Sequence, residues 1–404
     1  MMLEYKKTQL RLNLLEFLVL ASTSAASYLA MILGDSGLDS GQVGIILSIN
    51  AFIGMVAPPV FGFIADKIGS PRKALSITLI MTAILWTGIP LSVGVKLGTF
   101  PLVVLFVLLG SLSRTPIGSL LDSWIMQVQE SDPRILYARA RKYGSLGFSV
   151  MAIVSTPIVA QFGEGAAFFT MPILLLPILF LARQVGDPSP QKAELPAGGD
   201  AVSKPKGLQI SRIFKNYYLM THFLCLMVTW MPFMLHSFLL PKLIADIGQN
   251  TSLLGTVVGI RALMEVPAFM LVPFLCRKFN PRIFIPLGFL WYVVEYLLLS
   301  VTRSIVPLYL IMMMSGTIFA FIVGVNMNYI HGLAPQGLKA TVVTMNGAAM
   351  SLCGIVANPL AGYLLKAVGI RPSFTIIAGM VFLVVCLMAL FQYIGKKRNI
   401  QVPR

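Results

Sequence analysis

Twelve runs of roughly 20 apolar residues recur along the chain, each long enough to cross about 30 Å of hydrocarbon as a helix. They fall near 13–33, 42–64, 74–95, 100–128, 134–162, 166–183, 215–241, 252–276, 283–302, 305–331, 338–365 and 371–395. A chain patterned this way cannot bury its apolar surface in a soluble core. Of its 404 residues 57% are hydrophobic and 11% charged, against roughly 25% charged in soluble domains, and the mean hydropathy is +0.83. Backbone polar groups in lipid must pair within their own segment, so the runs are expected as helices of an all-α membrane protein. Glu4, Lys6, Lys7 and Arg11 precede the first run, which has no small-residue cleavage site and reads as a retained span.

The few charges are lopsided. Thirty-one Lys and Arg against 15 Asp and Glu give a formal charge of +16, which on a polar chain would suggest nucleic acid. On this chain it fits the excess of basic residues in cytoplasmic loops. With both termini cytoplasmic, Lys96, Lys242, Arg303, Lys366 and Arg371 fall outside and Arg114 and Arg261 within spans, leaving the rest on the cytoplasmic side. The expectation is a multi-pass protein of the cytoplasmic (plasma) membrane, with no nucleic-acid partner.

Between spans six and seven lies the one sustained polar, Pro/Gly-rich stretch, expected as a cytoplasmic linker. It divides the chain into a six-helix bundle at 1–183, a linker at 184–212 and a second six-helix bundle at 213–404. The halves also repeat. At an offset of 211, Gly44–Asn50 falls on Gly255–Arg261; at 202, Pro133, Leu136, Ala138 and Pro157 fall on Pro335, Leu338, Ala340 and Pro359. Parallel repeats about an axis along the membrane normal produce such a pattern.

After span two comes Gly62-Phe-Ile-Ala-Asp66-Lys67-Ile-Gly69-Ser-Pro-Arg72-Lys73. Gly62 permits close helix approach, Asp66 can accept from a helix N-terminus or a basic side chain, and Arg72 and Lys73 suit an anionic leaflet. The spacing resembles the loop signature of the major facilitator superfamily. That resemblance implies two pseudo-symmetric six-helix bundles and gives Gly62, Asp66, Gly69, Arg72 and Lys73 the role of a conformational latch. The second copy is degraded, with Pro273, Arg277 and Asn280 in the places of Gly62, Asp66 and Gly69.

Ionisable residues inside a membrane cost at least ~2.5 kcal/mol on insertion scales and are functional candidates by default. They are Arg114 and Asp122 in span four, Arg141 in span five, Arg261 and Glu265 in span eight, and Glu295 in span nine. On an unbroken helix Arg114 and Asp122 lie about 80° apart, broadly on one side. Arg261 and Glu265, four apart, can pair directly, either as a structural bridge or in a proton or substrate role.

Span five carries Arg139-Ala-Arg141-Lys-Tyr-Gly144-Ser145-Leu-Gly147-Phe148, and Gly332–Thr341 joins spans ten and eleven. Both windows look like the lactose permease, phenylpropionate permease and nucleoside symporter branch of the superfamily. By that resemblance Asp122 and Arg141 grip the substrate, Phe148 stacks on a sugar ring, and Glu265 belongs to the coupling network. Ser145, Arg114 and Asn346, which falls on Gly144 at the second offset, are further substrate-binding candidates. Span nine has Glu295 where relatives are basic, and span ten has Ser315 and Ile318 in place of the lactose permease His and acid. A lactose-type relay is therefore not expected, and proton coupling would pass to Glu265 and Glu295, with Arg261 as modulator.

Ala21–Ser27 in span one is small and hydroxyl-rich, suited to a cavity wall for a bulky or amphipathic solute but read first as tight helix packing. His236 reads as a buried hydrogen-bonding group or rim residue rather than a titrating one. Cys225, Cys276, Cys353 and Cys386 read as small hydrophobes, so neither a metal site nor a cofactor is expected. Nor is there a nucleophile elbow or phosphate loop to suggest an enzyme. The expectation is a monomeric secondary active transporter working by alternating access, with proton-coupled symport of a sugar-like or carboxylate solute. Export of amphipathic, drug-like or lipid-like compounds is the alternative, with a transporter-fold receptor as a second class.

Overall fold

The computed structural model describes residues 2–186, 213–334 and 339–398. The expected linker falls mostly on 187–212 and part of the span-ten-to-eleven window on 335–338, both outside the described residues. Within them are twelve helical segments long and apolar enough to cross a membrane: Glu4–Asp35, Ser40–Ile68, Pro71–Leu91, Leu102–Ser131, Arg139–Phe162, Glu164–Val185, Tyr217–Asp246, Thr251–Lys278, Pro281–Val301, Ile305–Ile330, Met345–Val368 and Ile370–Lys397. These are spans one to twelve below. An even number places the first and last helix ends on one face, called here the terminal face.

Three spans are broken near their middle. Span one leaves the α-helix after Ser22 and runs as a 3₁₀ turn over Ser24–Tyr28 before Leu29–Asp35. Ser22 Oγ and Thr23 Oγ1 donate to the carbonyls of Val19 and Leu20, back-bonding that bends helices. Span four stops at Arg114 and restarts at Ile117, because Pro116 has no amide hydrogen to continue the ladder. The single-helix geometry expected for Arg114 and Asp122 therefore does not hold. In span seven, Tyr217–Thr229 gives way to Met231–Asp246 at Trp230, with Pro232 in the first turn of the second piece.

Helices in lipid gain little from hydrophobicity against one another, so close approach falls to small residues. A Cβ on Gly147 would collide with the Phe17 backbone, and one on Gly316 with the backbone of Arg261. These contacts seat span five on span one and span ten on span eight.

Two seams join the halves, both at the end away from the terminal face. In one, Gly44 of span two lies against the backbone of Asn358 in span eleven, and Ser48 Oγ donates to the Ile355 carbonyl at 2.7 Å. In the other, Gly255 of span eight lies against Ala152 and Thr156 of span five, Ser149 Oγ donates to the Gly259 carbonyl at 2.7 Å, and the Thr156 and Thr256 hydroxyls pair at 2.9 Å. Gly44 and Gly255 are related by the 211 offset, and Thr156 and Asn358 by 202. The 211 repeat and the Pro157–Pro359 end of the 202 repeat thus fall at the seams, which are two versions of one contact.

At the terminal face, span two ends on Gly69, whose φ of 70° favours glycine, and Ser70 and Pro71 open span three, with Ser70 Oγ accepting from the Lys73 amide. Asn280 and Pro281 open span nine in the same manner. Two contacts open to the latch sequence are not made in this conformation. No atom lies within 4 Å of a Cβ built on Gly62, and the Asp66 side chain is exposed with no hydrogen bond or ion pair to a described residue. The physical reason is common to both: the helices close at the opposite end of span two.

Candidate transport cavity

A central cavity of 660 Å³ lies between the halves, within the range of roughly 300–1,000 Å³ typical of small-molecule sites. The broken spans supply much of its wall. Thr23, Ala26 and Ser27 line it from span one, so the hydroxyl-rich segment there serves the cavity as well as packing.

The half formed by spans one to six contributes Arg114, Arg141, Ser145 and Phe148 to the lining. Arg141 Nε lies 4.0 Å from Asp122 Oδ1, bringing the two span-four and span-five candidates together. Sequence reasoning missed a third member. Glu16 of span one is fully buried and interacts with both Arg141 and Asp122. A Cβ on Gly144 would lie 2.8 Å from Glu16 Oε2 and 3.0 Å from Arg141 Nη1, so both groups rest against the same glycine. Any side chain at 144 would press between them. Arg114 sits at the break in span four, and its buried Nε is without a partner. An arginine fork aimed at a cavity matches carboxylate or paired hydroxyl oxygens of a solute.

The other half contributes Phe233, His236, Arg261, Glu265 and Phe319. Arg261 Nη2 donates to Glu265 Oε1 at 3.3 Å. Its guanidinium carbon also lies 4.5 Å from the Phe233 ring and 5.0 Å from Phe319, rings that stack at 4.3 Å with an interplanar angle of 10°. Cation–π contact of this kind holds a guanidinium without spending all its donors. Glu295 is not a lining residue: it is fully buried behind His236, whose Nε2 lies 2.7 Å from Glu295 Oε1. His236 is thus buried and hydrogen-bonded, with a carboxylate as its partner. Tyr296 Oη donates to the Pro232 carbonyl at 2.7 Å and fixes span nine against span seven beside the pair.

Asn346 does not line the cavity. Its Oδ1 accepts from Asn326 Nδ2 at 2.9 Å, and Asn326 Oδ1 lies 2.6 Å from His222 Nε2, a chain of polar groups inside the second half. Its correspondence with Gly144 carries no shared role, because the glycine lies against Glu16 and Arg141 while Asn346 fills its space with an amide.

No group of three or more His, Cys, Asp or Glu side chains capable of holding a metal occurs among the described residues. A cavity between two halves, with charged and hydroxyl side chains set in a largely apolar wall and seams at one end, is the geometry of a carrier.

Comparison with known proteins bears on that geometry. Maltose permease of Geobacillus stearothermophilus is 23% identical over 338 residues, 82% of this chain and 81% of that protein. Among solved structures, the nucleoside transporter NupG, in a single-substitution form, superposes with a TM-score of 0.79 at 16% identity, covering 95% of this chain and 99% of that one. A D-xylose-proton symporter superposes with a TM-score of 0.75 at 15% identity, covering 96% and 98%. At such identities the structural likeness establishes the fold, twelve helices of the major facilitator type. Residues 9–376 match the MFS_1 like family, and the chain belongs to that family of major facilitator membrane transporters.

Proposed function

We propose that this transporter is a proton-coupled symporter of a small polar organic solute, sugar-like or carboxylate-bearing, working by alternating access. The observation that carries the reading is a cavity lined from both halves, with seams at the end away from the terminal face among the described residues, where Arg141 lies beside Asp122 on one side and Arg261 beside Glu265 on the other. Arg141, Asp122 and Arg114 are the groups for solute oxygens, Ser145 an added hydroxyl, and Phe148 a face for the carbon side of a ring. Glu265 and Glu295, with Arg261, form the coupling network. The arginines that face the cavity favour this solute class, while the small-residue span-one wall is the feature that favours an amphipathic export substrate. We place the terminal face in the cytoplasm from the basic bias of its loops, and the protein in the cytoplasmic membrane as a monomer.

The test is uptake by proteoliposomes carrying an imposed pH gradient, with labelled maltose, D-xylose, uridine and a short carboxylate offered in turn. Accumulation above the outside concentration, abolished by a protonophore, is expected for one class. If all four fail to accumulate while downhill exchange of any one proceeds, symport is wrong and facilitated diffusion replaces it.

A further inference from the structure

We propose that the coupling proton is held by His236 and Glu295 acting as one unit, exchanging at His236 Nδ1, while the Arg261–Glu265 ion pair holds no proton and responds to the charge of that unit. The inference rests on the proton-coupled reading above and names the proton's seat within it.

Geometry carries the argument. Glu295 is fully buried, and one of its oxygens lies 2.7 Å from His236 Nε2. The remaining polar atoms of the pair, Glu295 Oε2 and His236 Nδ1, are buried without hydrogen-bond partners. A finished structural bridge would have both satisfied. His236 itself lines the cavity while Glu295 stands behind it, so the imidazole is the member placed to meet solvent when the halves rock.

Every charged or titratable neighbour fits the same scheme. From span nine come Tyr292 and Tyr296, the latter committed to the Pro232 carbonyl and stacked on the His236 ring at 6.1 Å. Span eight brings Arg261, already bonded to Glu265. Span eleven brings Cys353 near Tyr296, and span twelve meets Tyr296 with the apolar Phe374. No other cation among these groups is free to neutralise Glu295.

When Nδ1 takes a proton, imidazolium and carboxylate sum to zero. When it is lost, Nε2–H still donates to Glu295, but a net negative charge stays buried, with Arg261 on the other side of Phe233. Phe233 spans the gap between the two sites, its ring centroid 6.4 Å from that of His236 and 4.5 Å from the Arg261 guanidinium. Loss of the proton therefore draws Arg261 away from Glu265, and that movement reaches the cavity wall where a solute sits.

The test combines a measurement that needs no solute with one that does. Infrared pH-difference spectra of the full-length protein in lipid nanodiscs should show an imidazole titration that His236→Gln removes and His222→Gln leaves intact. Thermal melts should show each variant folded. In proteoliposomes, His236→Gln should cut pH-driven accumulation at least tenfold while keeping exchange of the same labelled solute at equal pH. An imidazole signal unchanged in His236→Gln, or accumulation equal to wild type, overturns the proposal. Should the wild type accumulate none of the four solutes, the symport reading falls, and the spectra still decide whether the pair is a proton site.

Discussion

The two halves hold their buried charges differently. In the first, Arg141 and Asp122 are 4.0 Å apart with side chains 44% and 36% exposed. In the second, Arg261 and Glu265 are 3.3 Å apart at 10% and 12%, and His236 and Glu295 2.7 Å apart at 4% and 0%. A loose, wet ion pair contributes little and yields readily to a competing ligand. A dry pair is costly to break, because the partner left behind is a buried unpaired charge. The contrast assigns solute capture to the first half and the proton to the second under the proposed mechanism.

The largest expected effect follows directly. Arg261→Leu leaves the buried Glu265 without its cation and should cost about 3–5 kcal/mol of stability, read as a marked fall in melting temperature. Arg141→Leu should cost under about 1 kcal/mol, since the pair it breaks is largely solvated. Equal losses in the two variants would dissolve the distinction between the halves.

Transport should rank them in a second way. Arg141→Lys keeps the charge but loses the planar fork, and a lost charge-assisted hydrogen bond of about 1.5–3 kcal/mol corresponds to roughly 10- to 100-fold weaker solute uptake. Its melting temperature should match wild type. A variant that transports normally would move the solute site away from Arg141.

Much of this contrast was legible in the chain and part was hidden for identifiable reasons. Apolar runs marked the spans because lipid demands continuous hydrophobicity, and the 211 and 202 offsets marked the seams because both seams reuse one glycine contact. Glu16 was passed over because it lies within four residues of the expected start of span one, where an acid looks like rim charge. The signal available was its register: Gln9, Asn13 and Glu16 fall on one helical face, and all three are buried. Gln9 Nε2 donates to Asn13 Oδ1, continuing that polar stripe along the helix. The break at Pro116 was readable from the proline alone. His236 and Glu295 are 59 residues apart on different spans, and no local spacing could have joined them.

The seams offer a smaller test of the same comparison. Gly44→Val and Gly255→Val each push a branched side chain against opposing backbone, and overpacking of this kind costs about 1–3 kcal/mol. Spin labels placed through Asp39→Cys and Lys366→Cys should report a longer distance in Gly44→Val, shifting the protein toward opening away from the terminal face. A matching shift from Gly255→Val would establish that the seams open together. Response to one alone would separate them.

The smallest effect concerns the caps beside those seams, which the 211 offset also pairs. Asp39 opens span two with a capping box: its Oδ1 accepts from the Gln42 amide at 2.9 Å while Gln42 Oε1 accepts from the Asp39 amide at 3.0 Å. Asn250 stands at the equivalent place before span eight and accepts from the Ser252 amide. Only the aspartate titrates. The Gln42 amide, and then Lys366 across the seam at 3.5 Å, hold its carboxyl below the ordinary value. A depressed folded value means the contribution is complete above the unfolded value of about 3.9 and disappears as pH falls through the folded one. Acidification below about pH 4 should therefore begin to loosen the span-two seam while the span-eight cap is unaffected. Asp39→Asn makes the two caps alike and should flatten that part of the acid dependence of the melting temperature, with only a slight loss at neutral pH because asparagine caps nearly as well. An acid limb identical in wild type and Asp39→Asn would place the sensitivity elsewhere.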